Sequence, residues 1–295
     1  RTAKLPSELF NKSSDKIQIR IGKPINIKTI NEFTDPNELL RFLRAKTYAL
    51  ESSLEVEHRS FISKLKFHKP IQAEPIINET PTALVAQLHD KNLLLKQDGF
   101  KVYIAAARNI PSVVREISRL REITFRAVGE GTNQSCDTDE YDLTYKHLFI
   151  WDETQKKIVG AYRIGLGDIL FRRYKKKGFY INELFKIHKD FNPILKNSLE
   201  LGRSFITKDY QRKQLSLMLL WKGVNAFLQQ HPGRYKYLIG PVSISNSFSS
   251  LSKDLLVDFI RKNHFDDELA EAVKPRKKYK YQHKGEGSAL KDMSK

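Results

Sequence analysis

Between residues 100 and 166 apolar positions alternate with polar ones in three runs. Phe100 to Ala107 places Val102, Ile104 and Ala106 on one face and reads as a strand. Tyr145 to Trp151 and Lys157 to Leu166 read as two more, joined by a turn at Asp152 to Lys156, which makes them a hairpin. Helical spacing governs the flanking segments. Thr80-Pro-Thr-Ala opens a helix with Leu84, Leu88 and Leu93 or Leu94 on its apolar face, ended by Gly99. Pro111 opens another through Phe125, with Val113, Val114, Ile117, Leu120 and Thr124 in register.

Residues 167–180 read as a basic, glycine-bounded loop, and Ile181 to Ile187 as a short helix. Ser198 to Thr207 is predicted as a strand, Gln211 to Gln230 as a strongly apolar helix, Tyr235 to Ile244 as a strand and Phe248 to Asn263 as a helix. The helix between the last two strands implies a parallel crossover, whereas the hairpin is antiparallel. The expected fold class is therefore α/β, with a mixed central sheet flanked by helices. Nearer the N-terminus, Lys16 to Ile21 alternates as a strand and Asp35-Pro-Asn-Glu caps a helix through Tyr48. His58 to Pro75 reads as a linker, and the sequence beyond about Gly285 as a polar tail.

Composition narrows the class. In 295 residues, 52 Lys and Arg against 34 Asp and Glu give a net charge of +18, which favours acidic partners. The surplus concentrates in Arg172 to Lys177 and Lys274 to Lys280, runs that are equally readable as solvated loop and tail. No window approaches the roughly 18–20 apolar residues of a membrane span. Cys136 is the only cysteine, so no internal disulfide forms, and the simplest expectation is a cytoplasmic setting. The chain begins Arg-Thr-Ala-Lys with neither a secretory signal nor an initiator Met, so residue 1 is not expected to be a natural start. No metal site is expected.

Charged residues inside the apolar strands are the candidate chemistry, because a buried charge is costly unless paired or working. Arg163 shares a strand face with Ala161 and Gly165, which leaves room for a ligand or for a salt bridge to Asp139 or Asp142. Glu200 and Arg203 are three apart and would face opposite ways on a regular strand. A bulge at Gly202 would turn both toward one cleft, where Glu200 could serve as a general base or simply pair with Arg203. His147 and Asp152 match a His-x4-Asp spacing but sit on opposite strand faces, so they are not a catalytic pair; His147 can still line the site. Gln211, Arg212 and Lys213 open a helix directly after a strand, which suits a pyrophosphate. Gln214 and Ser216 stand where a phosphate cradle would have glycines.

Several ordered motifs carry a resemblance. Leu120-Arg121 to Phe125-Arg126, Asp137-x-Asp139-x-Tyr141-Asp142, Tyr145-x-His147-Leu148, Gly160-x-Tyr162-Arg163 and Glu200-Leu-Gly-Arg203-Ser resemble the long-chain branch of the GNAT superfamily over about residues 98–262. That branch contains the hemolysin-like ornithine-lipid and glycine-lipid N-acyltransferases and, more distantly, the acyl-homoserine-lactone synthases. The resemblance implies transfer of a long acyl chain from an acyl carrier protein or CoA thioester to the amine of an amino acid or related acceptor, with no permanently bound cofactor. It implies site positions at Arg121, Phe125, Asp139, Asp142, Arg163, Glu200 and Arg203. In that scheme Glu200 assists deprotonation, and Arg163 and Arg203 hold the acceptor carboxylate or order the carboxylates around it. Asp139 and Asp142 order the site, and backbone N–H groups near Phe205, Ile206 and Thr207 polarise the thioester carbonyl. Leu5 to Phe10 and Ile19 to Ile25 are similar to the closing strand of glycerolipid acyltransferase domains. The expected domains are thus a remnant of that kind plus linker over 1–75, an N-acyltransferase domain over 76–285 and a tail over 286–295. Expected partners are an acyl carrier protein, an anionic membrane surface at the inner face and a small amine, without nucleic acid. The rivals are an acetyl-CoA-dependent GNAT enzyme, a basic nucleic-acid-binding module and a membrane-associated scaffold that has lost its chemistry.

Overall fold

A computed structural model describes residues 21–22, 24–49, 79–212, 214–245 and 248–281. The strand expected over Lys16 to Ile21 (bar its last residue), the linker at 58–75, the tail at 286–295 and most of the short N-terminal motif lie outside them. In chain order the helices are α1 (Ile27–Ile30), α2 (Pro36–Ala49), α3 (Pro81–Val85), α4 (Pro111–Arg126), α5 (Gly167–Tyr174), α6 (Ile181–Leu184), α7 (Asn192–Lys196), α8 (Gln214–Gln229), α9 (Ser250–His264) and α10 (Asp267–Ala272). The strands are β1 (Leu93–Gln97), β2 (Phe100–Ala106), β3 (Lys146–Asp152), β4 (Lys157–Leu166), β5 (Phe185–Ile187), β6 (Ser198–Ile206), β7 (Tyr237–Ile239) and β8 (Val273–Pro275).

Six strands form one mixed sheet in the order β1-β2-β3-β4-β6-β7. Neighbours are antiparallel except β6 and β7, which run parallel across the α8 crossover. Side chains alternate between two cores. Tyr103, Ala105, Phe149, Trp151, Ala161 and Phe205 pack with Val113, Val114 and Ile117 of α4. On the opposite face Val102, Ile104, Leu148, Ile150, Val159 and Leu199 pack with Leu219, Leu220, Val224 and Phe227 of α8. A third cluster joins Phe42 of α2 to Tyr141, Tyr145, Leu170, Tyr174 and Phe179, so the helix capped by Asp35 seats on the main body. Among the described residues no helix is long and apolar enough to cross a membrane.

Four expectations are corrected. The helix expected from Thr80 to Gly99 stops at Val85, and Leu93–Gln97 is instead an edge strand. Asp98 and Gly99, both with positive φ (48° and 79°), turn it back into β2; Asp-Gly is the dipeptide that such two-residue hairpin turns favour. The basic loop at 167–180 is largely helical. Leu170, Phe171 and Tyr174 are buried at helical spacing, while Arg172 and Arg173 point outward and mask the pattern. The helix expected over Ile181 to Ile187 ends at Leu184, and Phe185–Ile187 pairs with β8 in a separate two-stranded sheet. The strand expected over Tyr235 to Ile244 is ordered as strand only at Tyr237–Ile239.

Close packing of β4 on β6 depends on Gly160, where a Cβ would lie 2.5 Å from the Phe205 carbonyl oxygen. Because backbone cannot yield as a flexible side chain does, Gly160→Ala is expected to destabilise the fold by about 1–3 kcal/mol, measurable by urea denaturation.

Candidate active site

The parting of β6 from β7 defines the site. They pair only from Ser198 to Glu200 against Tyr237 to Ile239, and β6 then continues to Ile206 without that neighbour. A bulge falls where Arg203 and Ser204 of β6 lie opposite the single residue Tyr162. It is the expected bulge, centred one residue past Gly202. Arg203 itself takes the left-handed conformation (φ 52°), which is unusual for a residue with a side chain. The extra residue turns Arg203 to the α4 face, where Arg163 and Glu200 also point.

Three arginines and three aspartates meet there. Arg121 on α4 donates Nε to Asp137 (2.9 Å) and Nη1 and Nη2 to Asp142 (3.1 and 2.9 Å), and all three side chains are at most 2% exposed. Arg163 donates to Asp139 at 2.5 Å and to Asp142 at 3.3 Å. Arg203 is held more loosely, 3.4 Å from Asp139 and 3.5 Å from Asp137, and its buried Nε has no hydrogen-bond partner among the described residues. Asp139 and Asp142 also cap the short turn Glu140–Leu143 reciprocally: Asp139 accepts from Tyr141 N and Asp142 N, and Asp142 accepts from Asp139 N. One loop conformation therefore aims both carboxylates. Upstream, Glu122 fixes the same loop by accepting from Thr132 N, Thr132 Oγ1 and Asn133 N, and Arg126 bridges Glu122 to the Gln134 carbonyl.

Tyrosines enclose the arginines. The Arg163 guanidinium lies 5.4–5.8 Å from the ring centres of Tyr141, Tyr145 and Tyr180, and that of Arg203 lies 5.7 Å from Tyr180. Glu200 is 1% exposed and accepts from the Tyr145 hydroxyl, Tyr180 N (3.1 Å) and Ile181 N (2.7 Å). Both of its oxygens are occupied, so it fixes the Tyr180 turn. No Glu200–Arg203 pair is present among the described contacts, which leaves the simple strand-fixing pair without support.

Burial dominates the electrostatics. It raises the Glu200 carboxyl above the usual range, against the opposing donation from Tyr145, Ile181 and Tyr180. Burial likewise raises Asp137 despite Arg121 and Arg203. Asp142 goes the other way: burial alone would raise it, but Arg121 and Arg163 hold it far below the usual carboxylate range. His147, cross-strand from Arg163, is kept below its ordinary value by burial, and its Nε2 contacts the Asp142 carbonyl at 3.0 Å. Asp152, by contrast, accepts from Tyr210 and the turn at Thr154 and Gln155, away from His147.

The remaining expected positions are less central. Phe125 packs at the edge of the α4 core, and Phe205 is buried in that core. Thr207 N–H donates to the Val159 carbonyl, so it is not free to polarise a thioester. Successive strand amides point to opposite edges, which turns Ile206 toward the edge that β7 leaves; its carbonyl accepts from Gln211 Nε2 there. Gln211 and Arg212 are exposed before α8, and Lys213 lies outside the described residues. Sequence reasoning missed Tyr145 and Tyr180 as ring partners and Asp137 as a direct ligand of Arg121. Two cavities, of about 380 and 440 Å³, lie where residues 24–46 meet the main body, and neither is lined by Asp139, Arg163 or Arg203.

Residues 120–222 match the model of the acetyltransferase (GNAT) domain. Over those residues the chain is similar to GNAT acetyltransferases. It is 37% identical over 188 residues to a glycine N(alpha)-acyltransferase of Bacteroides thetaiotaomicron and 34% identical over 187 residues to one of Phocaeicola vulgatus. Each match covers 59% of this chain, but only 55% and 57% of the relatives, so the chain spans little more than half their length. A solved aminoglycoside acetyltransferase from an uncultured soil metagenomic sample aligns at 15% identity, covering 63% of this chain and 97% of that one, with a TM-score of 0.31, too low to carry an argument.

Asp142 is the shared acceptor of Arg121 and Arg163, and Asp142→Asn is expected to destabilise the protein by about 3–5 kcal/mol at neutral pH. The sign with pH follows from its depressed carboxyl: its contribution is present above the ordinary value of 3.8 and is lost as pH falls below it. Urea titrations from pH 7 to pH 3 are therefore expected to show a shallower acid limb in the variant than in the wild type.

Proposed function

We propose that the chain is an N-acyltransferase that moves a long acyl group from the thioester of an acyl carrier protein or CoA to the amine of a small amino acid. Glycine, the acceptor in the names of its relatives, is the first choice. The observation that carries this reading is the uneven satisfaction of the charged cluster. Arg121 and Asp142 are saturated, whereas Arg203 keeps only loose contacts and Asp139, held through Oδ1 by Arg163, leaves Oδ2 a single 3.4 Å contact with Arg203; both side chains are partly exposed (18% and 26%). They sit on and against β6 beyond its last residue paired with β7.

An amino acid has an ammonium and a carboxylate a few ångströms apart, and this pair of groups complements both. Arg203 takes the carboxylate with two parallel N–H donors. Asp139 takes the ammonium and then its proton, directly or through a water. The freed amine attacks the thioester carbonyl carbon; the tetrahedral intermediate collapses with cleavage of the C–S bond, and the proton that its nitrogen sheds passes to the leaving thiolate. Ile206 N–H, turned to the unpaired edge, donates to the developing oxyanion. The same bare edge suits the amide-bearing pantetheine arm, which can add to a strand by main-chain hydrogen bonds. Exposed Arg212, at the start of α8, lies at the end where a donor phosphate would sit. Glu200 acts through Tyr180, whose ring rests on both Arg163 and Arg203.

Incubation of the purified chain with glycine and a long-chain acyl-ACP or acyl-CoA should yield N-acylglycine by mass spectrometry. Turnover of acetyl-CoA alone would put the acetyltransferase reading ahead. Arg203→Lys keeps a charge but loses the planar fork, and it is expected to lower kcat/KM for glycine by about 10–100-fold. An amine without a carboxylate should show no such loss; an equal loss for both acceptors would remove Arg203 from acceptor binding.

A further inference from the structure

We infer that α9 binds an anionic lipid surface, with its apolar face laid flat in the headgroup region. This goes beyond the acyl-transfer reading and does not depend on it. Amphipathic helices of globular proteins normally turn their apolar stripe inward. Here the polarity is inverted. Leu256 is 39% exposed, Phe259 57% and Ile260 45%. At 3.6 residues per turn these three form a single outward stripe. On the far side Asp254 is buried and accepts from the Tyr279 hydroxyl, and exposed Arg261 contacts Tyr281, so the chain's own C-terminal segment lies along the polar face.

The charges flanking the stripe choose the occupant. Lys253 borders it on one side and Lys262 on the other, while Asp254 and Asp258 lie opposite. Lysines in those places can keep their stems on the apolar surface and their ammonium groups among lipid phosphates. The chain's net charge of +18 draws it to the same surface. A second copy docked face to face would bring Lys253 and Lys262 of both chains together without an acid between them. A bilayer with anionic headgroups supplies the missing countercharge. At 15 residues α9 measures about 22 Å, too short to span a bilayer of about 30 Å but sufficient to lie along its surface.

The test is cosedimentation of the full chain with vesicles of phosphatidylcholine alone or mixed with phosphatidylglycerol. Binding is expected only to the mixed vesicles and is expected to weaken at high salt. Phe259→Asp combined with Ile260→Asp should lower the bound fraction about tenfold or more, with an unchanged thermal melt because both sites are exposed. Lys253→Glu with Lys262→Glu should abolish the preference for anionic lipid. Equal binding to both vesicle types, variant binding at the wild-type level, or a wild-type dimer that the aspartates split into monomers would each overturn the inference; the last would assign the face to a second copy. Acyl transfer to glycine with a soluble donor, measured on the same variants, reports separately on the proposed activity.

Discussion

One buried side chain, Arg121, holds the rest in place. Its guanidinium ties helix α4 to Asp137 and Asp142 of the following loop, and through Asp142 it reaches Arg163 on β4. Removing such charges from water costs several kcal/mol apiece, so the arrangement persists only because its hydrogen bonds are nearly complete. Neighbouring Glu122 grips the same loop nearer its start. Two consecutive residues of one helix turn thus fix a loop that contains little regular structure of its own, and the carboxylates of the site are aimed as a result.

Much of the sheet could be read from the chain. The alternation over β2, β3 and β4 placed those strands to within a residue or so, because each buries one face on α4 and the other on α8. β1 was lost to a run of leucines that satisfies helical and strand spacing alike; the Asp98-Gly99 turn was the signal that could have decided it. α5 was lost because its arginines and following lysines looked like a solvated loop, although Leu170, Phe171 and Tyr174 are spaced to bury one helical face. The N-terminus of α4 is capped from a distance by Gln87, whose Oε1 accepts from Ser112 N and Val113 N, and no local pattern announces such a partner.

The charged cluster was legible for a different reason. Arginine and carboxylate within apolar strands have few inexpensive explanations, and the bulge that reconciles Glu200 with Arg203 follows from counting residues along a strand. The division of labour within the cluster was not legible. Whether a carboxylate is open or saturated depends on Tyr145, Tyr180 and Ile181, which reach Glu200 from across the fold and carry no spacing signature.

The contacts that make the site are long in sequence: Tyr145 meets Glu200 across 55 positions, and Arg203 meets Asp139 across 64. Contacts of that separation are closed late, because the loop entropy between them is lost before they yield any return. A chain emerging from the ribosome reaches Arg121, Asp142 and Arg163 well before β6 exists to complete the group. During that interval Arg121, Arg163 and the aspartates must stay hydrated, and the final seating of β6, which brings Arg203, is the step that dehydrates them. The charge cluster is therefore complete only once β6 has seated, and a fragment ending before Arg203 would hold an incomplete one.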